Sequence, residues 1–122
     1  MFIAHFSPDP PGSPRNLHVE GFSKDFITIA WEPPETDGGS KIIQYVVEKC
    51  DVTRGLGQWV NAGSVSPSEH SFKTSKLFQG NAYLFRVRAE NRVGAGPSAE
   101  LTQPAVAELP FGTYDNHDMH NL

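Results

Sequence analysis

The sequence predicts an all-β chain folded as a two-sheet antiparallel β-sandwich of about seven strands. Three observations carry that expectation. Apolar residues recur with period two in several short runs, and no stretch between them has a convincing helical period. Ten prolines and eleven glycines punctuate 122 residues, which requires many turns and hence many short strands. The length suits one domain with slack at its ends, and a 38% hydrophobic content is enough to build its core.

Taken in order, the first strand is expected in "RNLHVEG" and the second in "DFITIAW". The second places Ile27, Ile29 and Trp31 on one face, with Thr28 and Ala30 on the other. Pro33 and Pro34 end it, because neither can donate to a ladder. "ETDGGS" then makes a tight connection into "KIIQYVVEK". There Ile43, Tyr45 and Val47 are expected inward, and Gln44, Val46 and Glu48 outward. "GQWVNAG" is a short strand or edge, and "EHSFKT" another. "YLFRVRAEN" has the strongest alternation, with Tyr83, Phe85, Val87 and Ala89 sharing one face. Leu84, Arg86, Arg88 and Glu90 share the other, and a last strand lies in "SAELTQ".

Charge and cysteine content narrow the function classes. Ten basic against fourteen acidic residues give a formal net charge of −4, so no basic footprint for nucleic acid exists. The lone Cys50 can form no intrachain disulfide and no cysteine-based zinc framework, and is read as a small packing residue. "MFIAHFSPDP" lacks a charged n-region and a sustained apolar core, so it is no signal peptide. No apolar run approaches the length needed to cross a bilayer. Asn16, Asn61, Asn81 and Asn91 all have the wrong third residue for a glycosylation sequon. These features lean towards a reducing compartment.

The aromatic positions distinguish between kinds of sandwich. In immunoglobulin domains the buried tryptophan lies on the third strand against a disulfide. Here Trp31 is on the second strand, and Phe85 stands where the second cysteine would be. Tyr83 closes "LFQGNAY", a leucine–glycine–tyrosine spacing suited to a tyrosine corner, whose hydroxyl bonds back to the upstream backbone.

Four motifs in this order, "WEPP" (31–34), "YVVE" (45–48), "LFQGNAY" (77–83) and "FRVRAEN" (85–91), resemble a fibronectin type III domain. The match runs over residues 10–107. The "DGGS" and "YVVEK" pieces make it similar to the fibronectin type III modules of titin-like giant muscle proteins, a group that includes titin, twitchin and projectin. That resemblance implies a non-catalytic structural and interaction module, a spacer and scaffold in the cytoplasm at the sarcomeric A-band. It implies neighbouring immunoglobulin or fibronectin type III modules as partners, with myosin or another thick-filament protein as a further one, and no cofactor. The alternative is a ligand-binding module of an adhesion or receptor ectodomain. Against it, residues 92–94 read Arg-Val-Gly rather than the integrin-binding Arg-Gly-Asp, and "AGPSA" replaces the tryptophan–serine repeat of cytokine receptors.

The expected organisation is an N-terminal linker over residues 1–9, the module over 10–107, and a flexible linker or tail over 108–122. "SPDPPGSP", residues 7–14, has four prolines in eight and reads as a semi-rigid extended linker. Phe6 and Phe111 each stand in a proline-rich context about one domain length apart, suggesting aromatics at module junctions.

Candidate chemistry is sparse. Gly94 and Gly96 lack the third glycine of a dinucleotide fingerprint, since Ala99 stands there, and they lead into Pro97 rather than a helix. "GLGQWV" (55–60) fails in the same way. His117 and His120 with Asp115 and Asp118 have metal-ligand chemistry, although a polar tail is the commoner explanation. His5, His18 and His70 join no triad, and no nucleophile elbow occurs. No catalytic, cofactor or metal site is therefore assigned, nucleic acid and membrane are not expected partners, and the isolated module is expected to be monomeric. The outward row Arg86, Arg88 and Glu90 reads as a solvated sheet face with cross-strand pairs, or as a docking face for an acidic partner. Arg92 sits near the tip of the final connection, where loop closure and partner contact are the two readings.

Overall fold

The computed structural model describes residues 7–110. Its strands are β1 (Arg15–Phe22), β2 (Ile27–Glu32), β3 (Gln44–Asp51), β4 (Val60–Val65), β5 (Ser71–Thr74), β6 (Ala82–Glu90), β7 (Ala99–Glu100) and β8 (Ala105–Val106). They form two antiparallel sheets, one ordered β1-β2-β5 and the other β4-β3-β6, with β7 and β8 both pairing with β6. The described residues contain no helix.

Period two explains the layering. Alternate residues of a strand point to opposite faces, so an alternating sequence sorts itself into an apolar and a polar side. Ile27, Ile29 and Trp31 of β2 meet Tyr45 and Val47 of β3 and Tyr83, Phe85, Val87 and Ala89 of β6 in one core between the sheets. Tyr45, Phe85, Ile27, Ile29, Val47 and Val87 are fully buried. Burying one such side chain stabilises the fold by roughly 1.5–3 kcal/mol, which makes this cluster the main source of stability.

The tyrosine corner forms. Tyr83 is buried, and its hydroxyl accepts a hydrogen bond from the backbone N–H of Phe78 at 3.0 Å. The chain end is tied to the same corner. Gly80 N–H donates to Ala107 O at 2.7 Å, and Ala107 N–H donates to Asn81 O at 3.0 Å.

Four expectations are corrected. Ile43 is 50% exposed, because β3 begins at Gln44 and Ile43 lies in the connection before it. Val46 is buried to 5% although it faces outward; it lies in register with Arg88 and Ser64 on a face whose long side chains can bury apolar neighbours under their stems. The last strand is broken in two. Glu100 lies opposite Arg86 and Ala105 opposite Tyr83, so four residues on one side face two on the other. Leu101 is buried in the core there and Pro104 has no N–H to donate, so the intervening residues loop out.

The fourth correction concerns residues 7–14. They are extended, as their prolines require, but they do not hang free. Asp9 N–H donates to Gly38 O at 2.9 Å, Gly12 N–H donates to Thr36 O at 3.0 Å, and Pro11 is fully buried.

Candidate functional site

The outer face of the larger sheet carries a continuous row of polar side chains. In the register of β3 with β6, Gln44 pairs with Glu90, Val46 with Arg88 and Glu48 with Arg86. Residues two apart on one strand share a face, so all of these project to the same side. Arg86 Nε donates to Glu48 Oε1 at 2.8 Å, and Arg88 Nη1 reaches the same oxygen at 3.0 Å. Arg88 Nε donates to Glu90 Oε2 at 3.1 Å, and Gln44 Nε2 donates to Glu90 Oε1 at 2.8 Å. At the far end Arg86 lies over the ring of Trp59, 4.3 Å from its centre.

Two guanidinium groups are thus balanced by two carboxylates. The hydrogen bond from Arg86 holds the Glu48 carboxyl below the usual carboxylate range, against an opposing push from burial, with the fields of Arg86 and Arg88 adding to it. Such a row offers no net positive charge. An acidic partner would have to displace Glu48 and Glu90, so the acidic-docking reading loses its attraction and the paired-face reading describes what is seen. Trp59, Glu48 and Gln44 complete this row beside the two arginines and Glu90.

A second constellation lies where β6 ends. Asn91 is 3% exposed. Its Nδ2 donates to the carbonyls of Asp9 at 2.7 Å and Asp37 at 2.8 Å, with Ser40 O at 3.4 Å beside them. Its Oδ1 accepts from the N–H groups of Val93 and Gly94 at 2.9 and 3.3 Å. One amide therefore joins the N-terminal strap, the β2–β3 connection and the β6–β7 turn.

The two glycines of that turn have different reasons to be there. Gly94 has φ +152 and exchanges backbone hydrogen bonds with Asn91, closing the turn around Arg92 and Val93. Gly96 allows close approach: a Cβ there would stand 2.0 Å from the carbonyl oxygen of Pro11. Neither glycine faces a helix N-terminus. Arg92 Nε donates to Ser40 Oγ at 3.2 Å, which fastens the turn tip to the neighbouring connection.

The remaining candidates stay apart. Cys50 is 0% exposed. His18 Nδ1 donates to Asn16 O at 2.7 Å, while His70 packs edge-on against Tyr45 at 5.7 Å between ring centres. At the opposite end, a cleft of about 440 Å³ is lined by Asp51, Thr53, Gly57 and Asn81 among others. Three of its polar residues bind one another: Thr53 donates twice to Asp51, and Asn81 Nδ2 donates to Asp51 at 2.9 Å. The Thr53 hydroxyl is the first cause holding the Asp51 carboxyl below its ordinary range. His5, His117, His120, Asp115, Asp118, Phe6 and Phe111 lie outside the described residues.

The sandwich, the corner and the second-strand tryptophan coincide with a known family. The model of the fibronectin type III domain matches residues 12–104. The chain belongs to the fibronectin type III family. Among curated relatives it is 29% identical over 110 residues to the striated-muscle M-protein of Gallus gallus, covering 90% of this chain and 7% of that protein. It is 34% identical over 99 residues to the cardiac-type myosin-binding protein C of Homo sapiens, covering 81% of this chain and 8% of that one. The crystal structure of titin domains A168–A170 superposes with a TM-score of 0.75 at 36% identity, over 83% of this chain and 33% of that one. This fibronectin type III module thus spans a small fraction of the muscle proteins it resembles.

Proposed function

We propose that this chain works as a non-catalytic structural and interaction module of a giant sarcomeric protein, spacing and orienting the modules on either side of it. One observation carries the reading: the chain enters and leaves at opposite ends of β6. Asp9 is bound at Asn91, just past the end of that strand, whereas Ala107 is bound at Asn81, just before its start. A strand of 9 residues separates the two points by roughly 30 Å. Force or orientation is therefore passed along the sandwich rather than around it. In this reading residues 10–107 are the module, and residues 1–9 and 108–122 connect it to immunoglobulin or fibronectin type III neighbours.

The similarity to M-protein, myosin-binding protein C and titin supports a sarcomeric setting, and with it contact to the thick filament. The thick-filament part is tested by co-sedimentation of a chain of several such modules with myosin filaments. Enrichment in the pellet, weakened by salt, is expected; a chain left wholly in the supernatant removes this part and leaves the spacer role standing.

A further inference from the structure

The strap formed by residues 9–12 is fastened in an unusual way. Pro8, Pro10 and Pro11 have no N–H, so this segment cannot build a ladder. Its backbone donors reduce to Asp9 and Gly12, bound to Gly38 O and Thr36 O. The third hold is Asn91 Nδ2 on Asp9 O, and the fourth is the burial of Pro11. Two glycines leave room for it. A Cβ on Gly38 would stand 2.1 Å from Asp9 O, and one on Gly96 2.0 Å from Pro11 O.

Two features make this attachment easy to open and easy to close. The prolines restrict the undocked chain, so docking orders little that is not already ordered. Release also leaves the hub satisfied: Asn91 keeps Asp37 O, has Ser40 O beside it as a second acceptor, and still holds Val93 and Gly94 through Oδ1. The core cluster between the sheets contains no strap residue, and Pro11 is buried outside that cluster. Segments held by few backbone bonds lie at the low-stability end of local opening.

We propose that residues 9–12 are a releasable latch that sets how stiffly this module is joined to whatever chain precedes it. Latched, the joint pivots at Asp9, beside the rigid end of β6. Released, the pivot moves to Arg15, where β1 begins, and residues 9–14 become about 20 Å of free chain. The proposal rests on the spacer reading for its purpose, but the latch itself is a property of the single chain.

The test is amide hydrogen exchange on the whole chain, followed at Asp9 and Gly12 against central amides of β3 and β6. The latch requires Asp9 and Gly12 to exchange at least about tenfold faster than those strands, at a rate insensitive to low denaturant. Exchange of Asp9 and Gly12 together with the strands, with the denaturant dependence of global unfolding, would overturn it. Gly96→Ala should raise exchange at Asp9 and Gly12 by a further tenfold or so while β3 and β6 keep their protection. Equal loss of protection in the strap and in both strands would instead make the strap part of the core. The wild-type comparison decides the matter even if the variant does not fold. A failed latch leaves the opposite-end geometry untouched, and a module that folds back on its neighbour leaves the exchange pattern untouched.

Discussion

Arg86 stands 4.3 Å from the ring centre of Trp59 while its Nε donates to Glu48 at 2.8 Å. The guanidinium is held from two directions: the ring fixes its plane and the carboxylate fixes its edge. A partly exposed cation–π contact is worth about 0.5–1 kcal/mol, more than most exposed ion pairs alone. A double-mutant cycle of Trp59→Ala with Arg86→Ala should give a coupling of about that size in urea unfolding. Strictly additive effects would show that the contact contributes nothing.

The Glu48 carboxyl gives the fold an acid-sensitive component. Its folded pKa lies below the unfolded one, chiefly through the hydrogen bond from Arg86. The stabilisation is therefore complete above the unfolded carboxylate range of about 4.3 and is lost as pH falls through the folded value. The urea midpoint should be level from neutral pH to about pH 5 and fall below that. In Glu48→Gln the neutral-pH midpoint should be lower and the acid-side fall shallower, though not abolished, since the Asp51 carboxyl is depressed in the same direction. Parallel profiles for the two proteins would contradict this.

Removing one oxygen tests the corner. Tyr83→Phe keeps the buried ring and leaves the Phe78 N–H without its acceptor. The cost should be about 0.5–1.5 kcal/mol, the net worth of one hydrogen bond, because Phe78 itself is exposed and water can reach its N–H. A change below a few tenths, measured by denaturant unfolding at fixed slope, would mean that water replaces the hydroxyl there.

Cys50 is the lone cysteine and is 0% exposed. Cooperative unfolding should therefore be the same with and without full reductant, and a thiol reagent should label Cys50 only through opening, far more slowly than a free thiol. Loss of cooperativity in reductant would contradict this.

The parts of the fold readable in advance were those governed by local period. Ile27, Ile29 and Trp31, and then Tyr83, Phe85, Val87 and Ala89, fall inward because alternation and strand geometry share one repeat. Long-range register was not readable. Val46 is buried on the face where β6 sets Arg88 opposite it, and Glu48 joins the charged row because β6 sets Arg86 opposite it. The Asn91 hub bridges 82 residues to Asp9, and nothing local to "AEN" or "SPDPP" announces the pairing. Its nearest trace in the sequence was the asparagine three residues before Gly94, which marks a turn but not what the other half of the amide binds.

The spacer geometry is tested most directly by small-angle X-ray scattering of two copies of this module in tandem, set against one. With entry at Asn91 and exit at Asn81, the pair should be elongated, its maximum dimension greater than that of the single module by roughly 30 Å or more. A pair whose maximum dimension barely exceeds that of one module would mean that the two lie side by side, and would contradict the head-to-tail role.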